Sequence, residues 1–293
     1  MSGRAEGALD RFSPEALFVV SGISQYTGAV IAVSLFEDVR PATVAWLRVL
    51  GAAIVLVAIS WRRMGRWTAD ELRAAALFGI ATSAMNLCFY LAIDRIDLGK
   101  TVVIEFLGPI SVAAAFTRTT RNTIALLLAV AGVAVLGGVE IDNEPLGLAF
   151  IFGASAMWAA YIIIGRRVAA LDRGVAGLGL GLAIGALALT PLGAPGSGKV
   201  WTTPAWLFSG LAVGVFSNAI GYGIDQHVMR RIPVRRIALL YALLPVTAMV
   251  VGLLALEQRP SMVDLLGAAL VITGVVVQER EVLGAEELET TPA

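Results

Sequence analysis

The chain has 293 residues, 58% of them apolar and 15% charged, with a mean hydropathy of +0.82. Soluble chains run roughly 45–50% apolar and about 25% charged, so this composition exceeds what a globular core hides and indicates an integral membrane protein. The 22 basic and 22 acidic residues cancel, which argues against nucleic-acid binding through a basic face, and a single cysteine (Cys88) and a single histidine (His227) leave no internal disulfide and no His-rich metal site to expect.

A helix needs about 20 mostly apolar residues to cross a hydrocarbon core of ~30 Å. Residues 1–15 mix Arg4 and Arg11 with Glu6, Asp10 and Glu15 and read as a solvated cytoplasmic N-terminus. Ten apolar stretches follow, at 16–35, 42–61, 73–93, 99–117, 123–139, 146–165, 174–192, 204–226, 234–256 and 262–278. They are continuous rather than alternating, so helices and not a barrel are predicted. Residues 279–293 read as an acidic cytoplasmic tail.

The short connections report orientation through their Lys and Arg. One set of faces collects sixteen, from Arg4 and Arg11 through Arg62, Arg166 and Arg230 to Arg280, whereas the other holds Arg40, Arg95, Lys100, Lys199 and Arg259. This bias predicts both termini in the cytoplasm and a multi-pass protein of the inner (cytoplasmic) membrane.

The two halves resemble each other weakly. Pro14, Gly22 and Ser24 recur as Pro145, Gly153 and Ser155; Ile96 and Pro109 recur as Ile232 and Pro245; Gly132 recurs as Gly274. Five spans per half invert the second half. The predicted fold is therefore all-α and integral to the membrane, with ten transmembrane helices in two inverted five-helix repeats, 16–139 and 146–278. Inverted repeats are an architecture of alternating-access transporters, with the substrate near the midplane.

Ionisable groups inside a span cost roughly 2.5–3.5 kcal/mol on insertion scales and mark functional positions. Two stand out, Arg48 in span two and Glu105 in span four. Each lies about six residues, or ~9 Å, from the outer end of its span, so the two are able to pair. Pro109 lacks the N–H that would bond the carbonyl of Glu105, and Pro245 likewise frees the carbonyl of Tyr241. Both prolines are expected to kink their helices, with freed carbonyls facing a cavity. Further polar or aromatic candidates are Gln25 and Tyr26, Asn86 and Tyr90, Trp158 and Tyr161, and the stripe Asn218, Tyr222 and Asp225. Interhelical hydrogen bonding is the competing account for each. The glycines of 174–185 suit close helix contacts.

These motifs resemble a known family. Met85-Asn86, Phe89-Tyr90-Leu91, Leu98-Gly99, Glu105-Phe106 and Gly108-Pro109 resemble the EamA-type drug/metabolite transporters, and more specifically their threonine/homoserine exporter branch. Gly153-Ala154, Trp158-Ala159, Tyr161 and Leu256-Glu257 extend the resemblance over residues 15 to 278, and Arg48 stands where the superfamily commonly has an arginine. The resemblance implies export of small amino acids or related metabolites through a cavity formed mainly by spans one, three, four, six, eight and nine. Branch members can carry a glutamate before the span-nine proline, where this chain has Leu244.

The expected function is a secondary transporter that exports threonine- or homoserine-like amino acids, or related metabolites, by alternating access. Glu105 would meet the substrate ammonium or a coupling proton, and Arg48 would set the charge state of Glu105 or meet a carboxylate. Gln25, Asn86 and Asn218 would hydrogen-bond the zwitterion; Trp158, Tyr161 and Tyr222 would shape the pocket, which Tyr90 and Tyr241 would also line. The expected partners are this small molecule, the lipid bilayer and, in the coupled reading, protons; no cofactor, metal or nucleic acid is expected. Export of uncharged metabolites, nucleosides or drugs is the second transport reading, and a non-transporting membrane scaffold or sensor is the reading outside transport. The chain has no HExxH, GxSxG or Cys–His arrangement, so no enzyme is expected.

Overall fold

Helix boundaries follow from prolines and capping side chains. In the computed structural model, which describes residues 12–116, 119–169, 174–221, 224 and 243–277, every regular element among those residues is a helix. Helix α1 (Pro14–Leu35) starts on Ser13, whose Oγ accepts from the Ala16 N–H at 3.2 Å, and α2 (Pro41–Ser60) starts on a proline, whose missing N–H is no loss in a first turn. A reciprocal capping box opens α3 (Ala69–Ile93): the Thr68 N–H donates to Glu71 Oε2 at 2.8 Å, and the Glu71 N–H to Thr68 Oγ1 at 3.3 Å. Beyond them lie α4 (Leu98–Glu105), α5 (Leu107–Phe116), α6 (Thr120–Asn143), α7 (Pro145–Ala169), α8 (Gly174–Gly193), the short α9 (Gly198–Thr202), α10 (Pro204–Gly214), α11 (Leu243–Ala255) and α12 (Met262–Val277).

Apart from the short α9, which lies between the seventh and eighth stretches, these helices overlap the predicted apolar stretches, with two differences. The fourth stretch is two helices, because α4 ends at Glu105, the residue whose carbonyl Pro109 leaves without a donor. The eighth stretch changes winding: α10 passes into a π-helical segment, Val215–Gly221, with i→i+5 bonding. Of the helix that carries the other proline, Pro245, the described part is α11, and Tyr241, whose carbonyl was expected to be freed, lies outside the described residues.

Among the described residues six helices are long and apolar enough to cross a membrane, namely α1, α2, α3, α7, α8 and α10 with its π segment, and shorter apolar helices accompany them. Large side chains such as Leu77, Leu127, Leu187, Phe208 and Leu254 are exposed on their outer faces, as lipid-facing surfaces require. The chain is a multi-pass membrane protein.

The main contacts join helices of residues 12–143 to helices of residues 145–277. Helix α2 packs on α8, α3 on α7 and α8, α1 on α10, its π segment and α11, α2 on α10, α4 on α11, α5 on α7, and α6 on α12. Backbones meet where side chains are missing. A Cβ on Gly79 of α3 would collide with the carbonyl of Gly181 in α8, and one on Gly214 of α10 with the carbonyl of Arg48 in α2. Such small-residue crossings are how membrane helices approach closely.

Candidate functional site

Four helices deliver the polar residues to the interior. Arg48 projects from α2 and is 6% exposed. The α2–α10 crossing at Gly214 brings the π segment alongside, and Arg48 Nε donates to Asn218 Oδ1 at 3.0 Å. From α3, the ring of Tyr90 lies under the guanidinium, with Cζ 5.0 Å from the ring centroid, a cation–π contact. Phe36 meets that ring edge-on and Phe89 at a tilt, at 5.9 Å and 6.0 Å between centroids. The Tyr90 hydroxyl lies near Arg48 and Ser217, yet among the described residues neither it nor the Asn218 amide nitrogen has a hydrogen-bond partner.

The π segment is held by α1. Ser21 Oγ donates to the Gly221 carbonyl at 3.0 Å, Ser24 Oγ to the Phe216 carbonyl at 2.8 Å, and Ser217 Oγ returns a bond to the Gln25 carbonyl at 3.1 Å. The Ser21 and Ser24 hydroxyls donate to carbonyls at both ends of the irregular stretch, which a membrane interior demands. Gln25 donates its amide to Ser21 Oγ at 3.0 Å and packs against Gly221, so it supports the segment.

Glu105 ends α4 at the helix break and is buried. Among the described residues no donor hydrogen-bonds to its carboxylate. The charge of Arg48 acts on it and the Cys88 thiol is close enough to feel it, but Arg48 and Glu105 form no ion pair among the described residues. The next residue, Phe106, meets Trp158 of α7 edge-on, with centroids 5.0 Å apart and an interplanar angle of 78°. Trp158 thus walls the same break.

The structure therefore brings Arg48, Tyr90 and Asn218 into contact and sets Glu105 beside Trp158 through Phe106. It does not bring every candidate in. Asn86 is buried but spends its amide on the Thr82 carbonyl of its own helix, at 2.8 Å. Tyr161 packs on Phe78, with centroids 4.8 Å apart. Tyr222 and Tyr241 lie outside the described residues. Leu244 packs against α1 at Gly22, where a Cβ would come within 3.2 Å of its Cδ2. Sequence reasoning missed Ser21, Ser24 and Ser217. Their only signal was position, since Ser21 precedes Gln25 by one turn and Ser217 adjoins Asn218, and hydroxyls are common helix glue.

The description "EamA-like transporter family" matches residues 145–278. The threonine/homoserine exporter RhtA of Escherichia coli K12 is 31% identical over 264 residues, covering 88% of each chain, and RhtA of Salmonella typhimurium LT2 matches to the same extent. A solved structure described only as "Crystal structure of protein" superposes with a TM-score of 0.59 at 20% identity, over 94% of this chain and 99% of the other, and shares the fold. Glu105 at its helix break and buried Arg48 thus stand in a chain that aligns with these exporters over most of its length, and the chain belongs to the EamA-like transporter family, in its threonine/homoserine exporter branch.

Proposed function

We propose that the chain exports small amino acids of the threonine or homoserine kind across the cytoplasmic membrane by alternating access. The observation that carries this is a buried guanidinium, Arg48, and a buried carboxyl, Glu105, which form no ion pair with each other among the described residues. Buried charges are normally matched. Two that stay apart suit a ligand that brings one charge of each sign.

Glu105 takes the substrate ammonium or a coupling proton, beside the Phe106–Trp158 wall. The helix packing supports the inverted-repeat reading: exchanging α1 with α7, α2 with α8, α3 with α10, α4 and α5 with α11, and α6 with α12 maps the main contacts between the two sets onto one another. In this reading residues 16–139 and 146–278 are the two repeats, Tyr222 and Tyr241 line the cavity from the second, and both termini are cytoplasmic.

Leu244 favours a second reading, export of uncharged metabolites, nucleosides or drugs, because an apolar residue fills the place of a branch carboxylate. Counterflow of labelled threonine and homoserine in proteoliposomes, beside a panel of other amino acids, decides between them. The first reading predicts a signal that Glu105→Ala abolishes. A Glu105→Gln protein that transports with unchanged pH dependence would remove Glu105 as the coupling group, and absence of any amino-acid signal from folded protein would hand the site to the second reading.

A further inference from the structure

At the crossing of α2, α3 and the π segment, donors gather without an acceptor. Arg48 commits Nε to Asn218 Oδ1, which leaves the two terminal amino groups of the guanidinium for another partner. The Asn218 amide nitrogen and the Tyr90 hydroxyl are both buried, on residues with 0% exposure, and both are unpartnered among the described residues. Native interiors rarely leave such groups unmet without a ligand or a bound solvent molecule to meet them.

The sign of the deficit identifies what is missing. The Asn218 amide nitrogen and the guanidinium can only donate, the Tyr90 hydroxyl can donate, and the one charge is positive, so the absent group is an acceptor, and a negative one. Water would satisfy the donors but not the charge. Carbonyls at the ends of the π segment are already taken by Ser21 and Ser24. Glu105 does not reach Arg48. A carboxylate fits best, because its two oxygens match the planar end of a guanidinium.

We infer that Arg48, Asn218 and Tyr90 form a carboxylate subsite that receives the carboxylate of the exported amino acid, on helices other than the one that carries Glu105. The inference rests on the transport reading above and deepens it. The subsite makes the exporter selective in a particular way: an amine that lacks the carboxylate leaves three donors and a charge unpaired, and such sites reject analogues strongly.

The test uses the full chain, purified in detergent for thermal unfolding and reconstituted for counterflow. The ligands are threonine, threoninol (the same amine with a hydroxymethyl group in place of the carboxylate) and sodium chloride. Threonine should protect at a concentration at least about tenfold lower than threoninol, the loss expected for a charged hydrogen-bonded partner. Tyr90→Phe removes a hydroxyl with no hydrogen-bond partner among the described residues, so the ligand-free midpoint should hold. Threonine should weaken about tenfold in this variant while threoninol stays unchanged. Arg48→Lys keeps the charge but loses the fork, and should narrow the same ratio.

Equal weakening of both ligands, or of neither, in both variants would overturn the subsite, as would absence of any threonine protection. Protection by chloride equal to that by threonine would overturn it in favour of an inorganic anion. The exporter reading fails separately. If threonine counterflow is absent while carboxylate-dependent protection persists, the subsite stands and export of threonine falls; if counterflow is robust and the ratio is flat, the reverse holds.

Discussion

Gly79 and Gly198 carry opposite expectations for the same substitution. A methyl group on Gly79 would overlap the Gly181 carbonyl across the α3–α8 crossing, and backbone cannot swing aside as a side chain does. One on Gly198 would meet nothing within 4 Å. Gly79→Ala should therefore cost about 1–3 kcal/mol through overpacking, while Gly198→Ala should stay within about 0.5 kcal/mol. Paired thermal unfolding in detergent checks both. An unchanged midpoint for Gly79→Ala would show that the two helices separate freely. At this scale Arg48 and Glu105 were legible in the sequence, since a charge in an apolar run has no bland explanation except snorkelling. Their failure to pair was not legible. Depth along a helix can be counted from sequence, but the direction of a side chain across a crossing depends on where Gly214 lets α10 approach, which is a property of the packing.

Helix ends were similarly open to reading, because caps are local chemistry. Ser261 and Asp264 show how much one cap carries. The Ser261 N–H donates to Asp264 Oδ2 at 2.7 Å, the Asp264 N–H donates to Ser261 Oγ at 3.2 Å, and Asp264 Oδ1 also lies 3.6 Å from Lys100 Nζ. The box starts α12 and the ion pair ties it to α4. Ser261→Ala should cost about 1 kcal/mol, the usual value of an N-cap hydroxyl. Asp264→Ala should cost more, because it loses the same cap and leaves Lys100 with the more exposed Asp97 at 3.6 Å. Asp264→Asn retains a capping oxygen and isolates the ionic part. Equal midpoints for Asp264→Ala and Ser261→Ala would mean that the Lys100 contact contributes nothing. The π segment had no comparable signal. Val-Phe-Ser-Asn-Ala-Ile-Gly reads as ordinary apolar helix, and its altered winding is held from outside by hydroxyls of α1, some 190 to 200 residues earlier in the chain.

The molecule as a whole is organised by contacts between the two sets of helices rather than within them, so the orientation of one set fixes that of the other. The proposed five spans in each set, together with the excess of Lys and Arg on alternate connections, would put the turn at Trp61–Arg63 and the short α9 on opposite sides of the membrane. Both places are suitable for chemical labelling, since Arg62 and Lys199 are exposed. In a Cys88→Ala background, a cysteine at position 199 should react with a membrane-impermeant maleimide from outside intact cells. A cysteine at position 62 should react only after permeabilisation. An even number of crossings separates two positions on the same side and an odd number separates two on opposite sides; the ten-span reading places five crossings between positions 62 and 199. Labelling of both positions from one side would therefore require one span fewer or one more between them. It would break the proposed inversion that relates the halves, and with it the pairing of Glu105 and Tyr241 as residues whose freed carbonyls face one cavity.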